Sequence, residues 1–176
     1  MTIQVKGLRK KYFNKEAVKG VDFTIEPESI IGLLGRNGAG KSTVLNMIAR
    51  RIEKTSGDIT LDGVDLHKTP RAMHQVYLSS TENWFPKEYK FKDLLSIYKK
   101  TYPEFDSDFA EDLIKVFGVN VKERFSKAST GYQSIMKIIL ALCNPSEYIF
   151  MDVPVLGLDA NHRHIFNKKL LEAYAR

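Results

Sequence analysis

The stretch "SIIGLLGRNGAGKSTVLNMIARRI", residues 29–52, constrains this chain more than any other. A continuous apolar run of strand length enters a glycine-rich octet, Gly35–Ser42. Apolar residues at helical spacing follow it: Val44, Leu45, Ile48, Ala49 and Ile52. Strand, loop and helix in immediate succession fit G-x-x-x-x-G-K-[ST], a pattern that cradles phosphate. Gly35, Gly38 and Gly40 free the backbone to wrap a ring of N–H donors around an anion. The helix beginning near Lys41 directs its positive end, about half an elementary charge, at the same anion. Lys41 is expected to reach the β and γ phosphates, and the Ser42 hydroxyl to ligate Mg2+. The nucleotide-binding residues expected here are Gly35, Arg36, Asn37, Gly38, Ala39, Gly40, Lys41, Ser42 and Thr43.

The rest of the chain supplies a frame for such a loop. "IQVKGL" and "VDFTIEP" alternate like strands around a turn at Asn14 and Lys15. "GDITLDG" reads as a short exposed strand between glycines, and "QVYLSS" as a buried one. From Trp84 to Phe125 aromatic residues alternate with Lys and Glu, which predicts two amphipathic helices separated near Pro103. "GYQSIMKIILALC" predicts a helix with Ile135, Ile138, Ile139 and Leu142 inward. "YIFMDV" reads as a central strand, and "ANHRHIFNKKLLEAYA" as a final helix. Strands alternating with helices argue for an α/β fold, a parallel sheet carrying a helical insertion. With 176 residues and 43% hydrophobic content, one domain with an inserted subdomain is expected.

Composition narrows the function classes. The net charge is +6, but Lys and Arg are spread along the chain beside acids, as a solvated mixed surface requires. No apolar run approaches the roughly 20 residues that span a bilayer. The start "MTIQVKGLRKKY" lacks the apolar centre of a signal peptide, so a soluble intracellular chain is expected. Cys143 lies alone in "IILALCN" and reads as a small core residue.

Asp152 closes the apolar strand "YIFMD", where an acid can hold hydrated magnesium opposite a phosphate loop. From here the sequence resembles the ATP-binding subunits of ABC transporters over essentially its whole length. "GRNGAGKST" matches that family's nucleotide loop. "ASTGYQ", residues 128–133, stands where the family carries its Leu-Ser-Gly-Gly-Gln signature, and "FMDVPVLGLD" matches Walker B followed by the D-loop. The resemblance implies a P-loop ATPase core with a mainly parallel sheet, an N-terminal antiparallel β-subdomain and an inserted helical subdomain. The implied division is 1–84 with 145–176 for the core and 85–144 for the helical part. It implies ATP and Mg2+ as cofactors, with Tyr12 stacking on adenine. Ser129, Thr130 and Gly131 would grip a partner's ATP, and Asp159 would be the D-loop acid. The implied partners are a second nucleotide-binding subunit and a transmembrane permease on the inner face of the cell membrane, with Trp84 and Phe85 as candidates to line the permease groove. Nucleic acid is not an expected partner. The single cassette looks similar to bacterial export systems.

Three departures from the family pattern stand out. The glutamate that polarises the attacking water is replaced by Val153, so ATP binding is expected to outlast fast hydrolysis. After "VYLS" the expected glutamine is absent. Ser80 or Glu82 is then the candidate to supply its oxygen, since Gln75 precedes the strand. Finally, "LLEAYAR" breaks off inside a helical pattern, so the chain is expected to be C-terminally incomplete. His162 and His164 are expected on a helix surface, not at the γ-phosphate. The leading reading is an energy-coupling transporter ATPase. Its rivals are a catalytically weak, nucleotide-gated dimerisation module and a soluble ABC-type protein acting on nucleic acid.

Overall fold

β1 (Ile3–Tyr12) and β2 (Lys15–Ile25) form a long antiparallel hairpin, closed by Phe13 and Asn14 between the Tyr12–Lys15 pair. The computed structural model describes residues 1–176, the side chain of Arg71 excepted. The chain divides into two compact units, 1–78 and 79–176.

In the first unit, α1 (Lys41–Ile48) follows the glycine loop and buries Val44, Leu45, Met47 and Ile48. β3 (Ser56–Leu61) pairs antiparallel with β1, and β4 (Val64–Asp65) with β3, giving the order β2-β1-β3-β4. Ile3, Val5, Leu8, Ile59 and Leu61 are buried on this sheet, as period-two alternation requires. The expectation of an exposed "GDITLDG" strand is corrected here. β3 lies between two strands, and a Cβ on Gly57 would come within 2.4 Å of the Gly7 carbonyl oxygen. The flanking glycine serves this close approach and does not mark an exposed edge. The unit ends with the short α2 (Pro70–Met73) and β5 (Val76–Ser79), whose last residue opens the second unit.

A second correction concerns residues 29–34. They form no strand, and Ile30, Ile31, Leu33 and Leu34 are exposed. A continuous apolar run is a buried strand only when ladders flank it and both faces are covered. Among the described residues, no backbone pairing of that kind is recorded for this run.

The second unit contains α3 (Phe91–Thr101), α4 (Ser107–Val116), a 3-10 turn (Phe125–Lys127), α5 (Thr130–Leu142), β6 (Tyr148–Met151) and α6 (Ala160–Tyr174). The break between α3 and α4 falls near Pro103, and Asp106 caps α4 by accepting the Phe109 N–H at 2.9 Å. α5 is the centre of the core, with Ile135, Met136, Ile138, Ile139 and Leu140 buried against Phe91, Leu94, Phe109, Leu113 and Phe125. α6 is tied to α4 by the Lys169–Asp112 pair at 2.6 Å and by Arg176–Asp106 at 2.7 Å. The Lys169 ammonium is held above the usual lysine range, first by the Asp112 carboxylate and then by Glu172. Phe85 and Trp84 part company: Phe85 packs edge-on against Phe125 at 4.9 Å, while Trp84 is 70% exposed.

Candidate nucleotide site

The first unit presents the glycine loop as an exposed, uncapped helix entrance. Gly40 caps α1 at φ 92, and no side chain accepts from the first-turn N–H groups. Those groups have no intrahelical acceptor and α1 has no acid in its first turn, so the helix start is open to an anion. Glycine is required at position 40 twice over. Its φ is left-handed, and a Cβ would stand 2.6 Å from the Ala17 carbonyl oxygen. The Lys41 ammonium folds back over the loop and donates to the carbonyls of Gly35 at 2.7 Å and Arg36 at 2.9 Å. The Ala39 N–H donates to the same Arg36 carbonyl at 3.1 Å, which tightens the turn. Ser42 is exposed at the start of α1, and its carbonyl accepts from the Asn46 amide at 2.8 Å.

Tyr12 lies at the end of the hairpin, half-exposed, with the Lys10 ammonium 4.9 Å from its ring centroid. Ala17 is two residues along β2 from Lys15, the partner of Tyr12, and its carbonyl touches Gly40. At about 3.3 Å per residue, the hairpin end lies a few residues' rise along β2 from this contact with the loop.

In the second unit, Ser80, Thr81, Thr130, Lys137, Asp152 and Val153 all line one open cleft. Asp152 is only 8% exposed, and its carboxylate has no hydrogen bond or ion pair among the described residues. Its backbone N–H donates to the Ser79 carbonyl at 2.8 Å. That carboxylate lines the cleft as a hard oxygen donor, and such donors suit Mg2+. The Asp152 carboxylate in the second unit and the Ser42 hydroxyl in the first are each donors of that kind. Ser80 is buried beside this carboxylate's cleft. Glu82 is exposed and does not line it, and its carbonyl rather than its carboxylate is engaged.

Val153 has φ 49, an outlier for a β-branched side chain, and it offers the cleft an isopropyl group.

The signature segment forms the start of α5. Ser129 caps the helix, its hydroxyl oxygen accepting the Tyr132 N–H at 3.2 Å, and its own O–H is left as a donor. A Cβ on Gly131 would lie 2.3 Å from the Gly157 carbonyl oxygen, so glycine lets α5 touch the D-loop. The Ser134 hydroxyl adds a 2.7 Å bond to the Leu156 carbonyl. Asp159 caps α6 through the His162 N–H at 2.8 Å. That bond, with the His162 ring, holds its carboxyl below the usual range. His162 and His164 lie on α6 as expected, and the His162 ring also stacks on Phe117. Cys143 is buried, and burial pushes its thiol up to about 12.

Two features escaped the sequence reading. Phe13, 98% exposed at φ 47, had no pattern to announce it. Lys137 donates to three backbone carbonyls, and its only signal was a charge inside "SIMKIILALC".

A family model described as "ABC transporter" matches residues 18–156. The chain belongs to the ABC transporter ATP-binding family. It is 33% identical over 162 residues to the ABC transporter ATP-binding protein YtrB of Bacillus subtilis, covering 92% of this chain and 56% of that protein. It is 34% identical over 160 residues to NatA, another ABC transporter ATP-binding protein of Bacillus subtilis, covering 87% of this chain and 65% of that one. The chain thus spans between half and two thirds of these relatives. Among solved structures, an ABC transporter ATP-binding protein from Pyrococcus furiosus superposes with TM-score 0.82 at 22% identity, covering 99% of this chain and 86% of that one. The ATP-binding subunit of another ABC transporter gives 0.84 at 23%, covering 99% and 75%. These likenesses give the ABC ATPase fold, an α/β P-loop core, which the sequence pattern had predicted. No helix among the described residues is long and apolar enough to cross a membrane.

Proposed function

We propose that this ABC chain is the ATP-binding, energy-coupling subunit of a membrane transporter, acting on the cytoplasmic face beside a permease. The observation that supports it most is the loop at Gly35–Ser42: an uncapped helix start, a left-handed Gly40 and a lysine ammonium folded over the loop carbonyls. An incoming triphosphate draws Lys41 from those carbonyls and takes the free N–H groups of the first turn. Tyr12 supplies a ring face to the base. Ser42 and Asp152 are the residues that would serve Mg2+ as ligands in this reading, and the metal would supply neutralisation of phosphate charge. The α5 start, with the Ser129 hydroxyl and the Thr130–Gly131 backbone, offers a second anion surface, and in this reading it meets the ATP of a second copy or of a related subunit. ATP binding then draws two such chains together, and phosphate release lets them part.

Val153 favours a second reading, in which this chain binds ATP and gates dimerisation while an active partner subunit hydrolyses. An isopropyl group neither orients water nor accepts a proton, and positioned acid–base groups contribute about 10²–10⁴-fold. Fluorescent-ATP titration of wild type and Lys41→Ala tests the shared core of both readings. The expected loss in affinity is about 100-fold, near 2.7 kcal/mol, with little change in melting temperature. Equal affinities would refute both. ATP-dependent dimerisation without phosphate release would then select the second reading over the first.

A further inference from the structure

Lys137 is a charge that the motifs of this site do not use. It stands on α5 among Ile135, Met136, Ile138 and Ile139, all buried. Its ammonium donates to the carbonyl oxygens of Ser80 at 2.9 Å, Thr81 at 3.0 Å and Glu82 at 2.9 Å. Three N–H donors thus meet three successive backbone acceptors. The Phe125 ring lies 5.9 Å away and favours the same charge. The loop it holds begins at Ser79, whose carbonyl accepts the Asp152 N–H at 2.8 Å. A continuous set of hydrogen bonds therefore runs from the signature-bearing helix, through the 80–82 loop, to the backbone of the buried acid. Lys137, Ser80, Asp152 and Val153 line one cleft.

We propose that Lys137 is a positioning residue that fastens the 80–82 loop to α5 and so keeps Ser80 and Asp152 arranged for Mg2+. The inference rests on the nucleotide reading above and deepens it. Positions 79–82 are Ser-Ser-Thr-Glu, so no glutamine side chain is available there to join this loop to the metal. Lys137 makes the join from the opposite side, with the backbone of the loop in place of a side chain. Without its ammonium, three carbonyl oxygens converge with their common partner gone, and the loop must open to water to satisfy them. The direction of the effect on metal binding is diagnostic. Removing a positive charge from the cleft tightens Mg2+ by Coulomb's law alone, whereas removing a positioning residue weakens it.

Wild type, Lys137→Met and Lys137→Ala test the proposal. Amide hydrogen exchange of the nucleotide-free protein is read first. The Asp152 amide, bonded to the Ser79 carbonyl, should exchange about tenfold faster in both variants, with β1 and β3 unchanged. ATP affinity is then measured with Mg2+ and with EDTA. The ratio of the two should fall about tenfold, as for other groups that orient metal ligands, while the EDTA value holds. Propylammonium should restore the ratio in Lys137→Ala, where the side-chain space is vacant, and not in Lys137→Met. Unchanged exchange, a tighter Mg2+ response, or equal losses with and without metal would each overturn the proposal. Failure of the nucleotide reading looks different: wild type and Lys41→Ala then bind ATP alike, and the exchange data alone decide whether Lys137 holds the loop.

Discussion

Val153→Glu sets stability and chemistry against each other at one backbone position. Val153 sits at φ 49, is 46% exposed, and its carbonyl accepts the Leu156 N–H at 3.1 Å to close the turn after β6. A side chain held in the left-handed region costs about 1–3 kcal/mol, and branching at Cβ puts valine at the worse end. Glutamate removes the branch and recovers about 0.5–1 kcal/mol of that strain. It also gives up a half-buried isopropyl group, about half of the ~1.5 kcal/mol for complete burial, partly replaced by its own methylenes. The two terms nearly cancel. For a chain of this size, where 1 kcal/mol moves the midpoint about 2–4 °C, the melting temperature should stay within about 3 °C. The chemical term is larger. A carboxylate restored beside Asp152 is expected to raise hydrolysis about 10²–10⁴-fold, or about 3–5 kcal/mol at 1.36 per decade. Single-turnover phosphate release at saturating Mg-ATP, on wild type, Val153→Glu and Val153→Gln, measures it. Glutamine has the shape without the base. Matching acceleration by glutamine, or none by glutamate at unchanged ATP affinity, would refute the assignment of position 153 to the base. A drop well beyond 3 °C for glutamate would refute the strain account.

Other consequences follow from the same geometry. Gly131→Ala forces a Cβ to within 2.3 Å of the Gly157 carbonyl oxygen, so the D-loop must move; a destabilisation of about 1–3 kcal/mol is expected in urea melts, as for other overpacked sites. Cys143, whose thiol is pushed up to about 12 by burial, keeps its proton in the folded state. Its contribution to stability is complete below the unfolded thiol value of about 8.5 and is lost as pH rises from there towards 12. Maleimide labelling at pH 8 should therefore track global unfolding, and fast labelling of the native chain would contradict the buried placement.

What could be read from the sequence, and what could not, divides along physical lines. α3 to α6 were legible because an amphipathic period repeats over ten residues or more, and because Asp106, Ser129 and Asp159 are good caps standing where helices begin. The β1–β2 hairpin was legible from alternation alone. The glycine loop was legible because positive φ and close approach leave few residue choices, and Gly40 against Ala17 is such a case. Residues 29–34 were misread because an apolar run records a preference for burial and not whether partners supply it. β3 was misread because glycines on either side resemble turns whether the strand between them is at an edge or inside a sheet.

Lys137 marks the remaining limit, and it bears on how the site departs from its family. A bond made to a backbone carbonyl has no complementary residue type to betray it, because every residue has a carbonyl. The sequence lacks a glutamine near position 80 and a glutamate at 153, and from it ATP binding is expected to outlast fast hydrolysis. The 80–82 loop is held by three charge-assisted bonds from Lys137, a class worth about twice a neutral hydrogen bond. Asp152 is 8% exposed and lines the same cleft as Ser80 and Lys137. In the proposed reading the residues assigned to phosphate and metal are present, while position 153 carries no base. That asymmetry fits the second reading proposed above, in which this chain binds ATP and a partner hydrolyses, and phosphate release by Val153→Glu against wild type tests it.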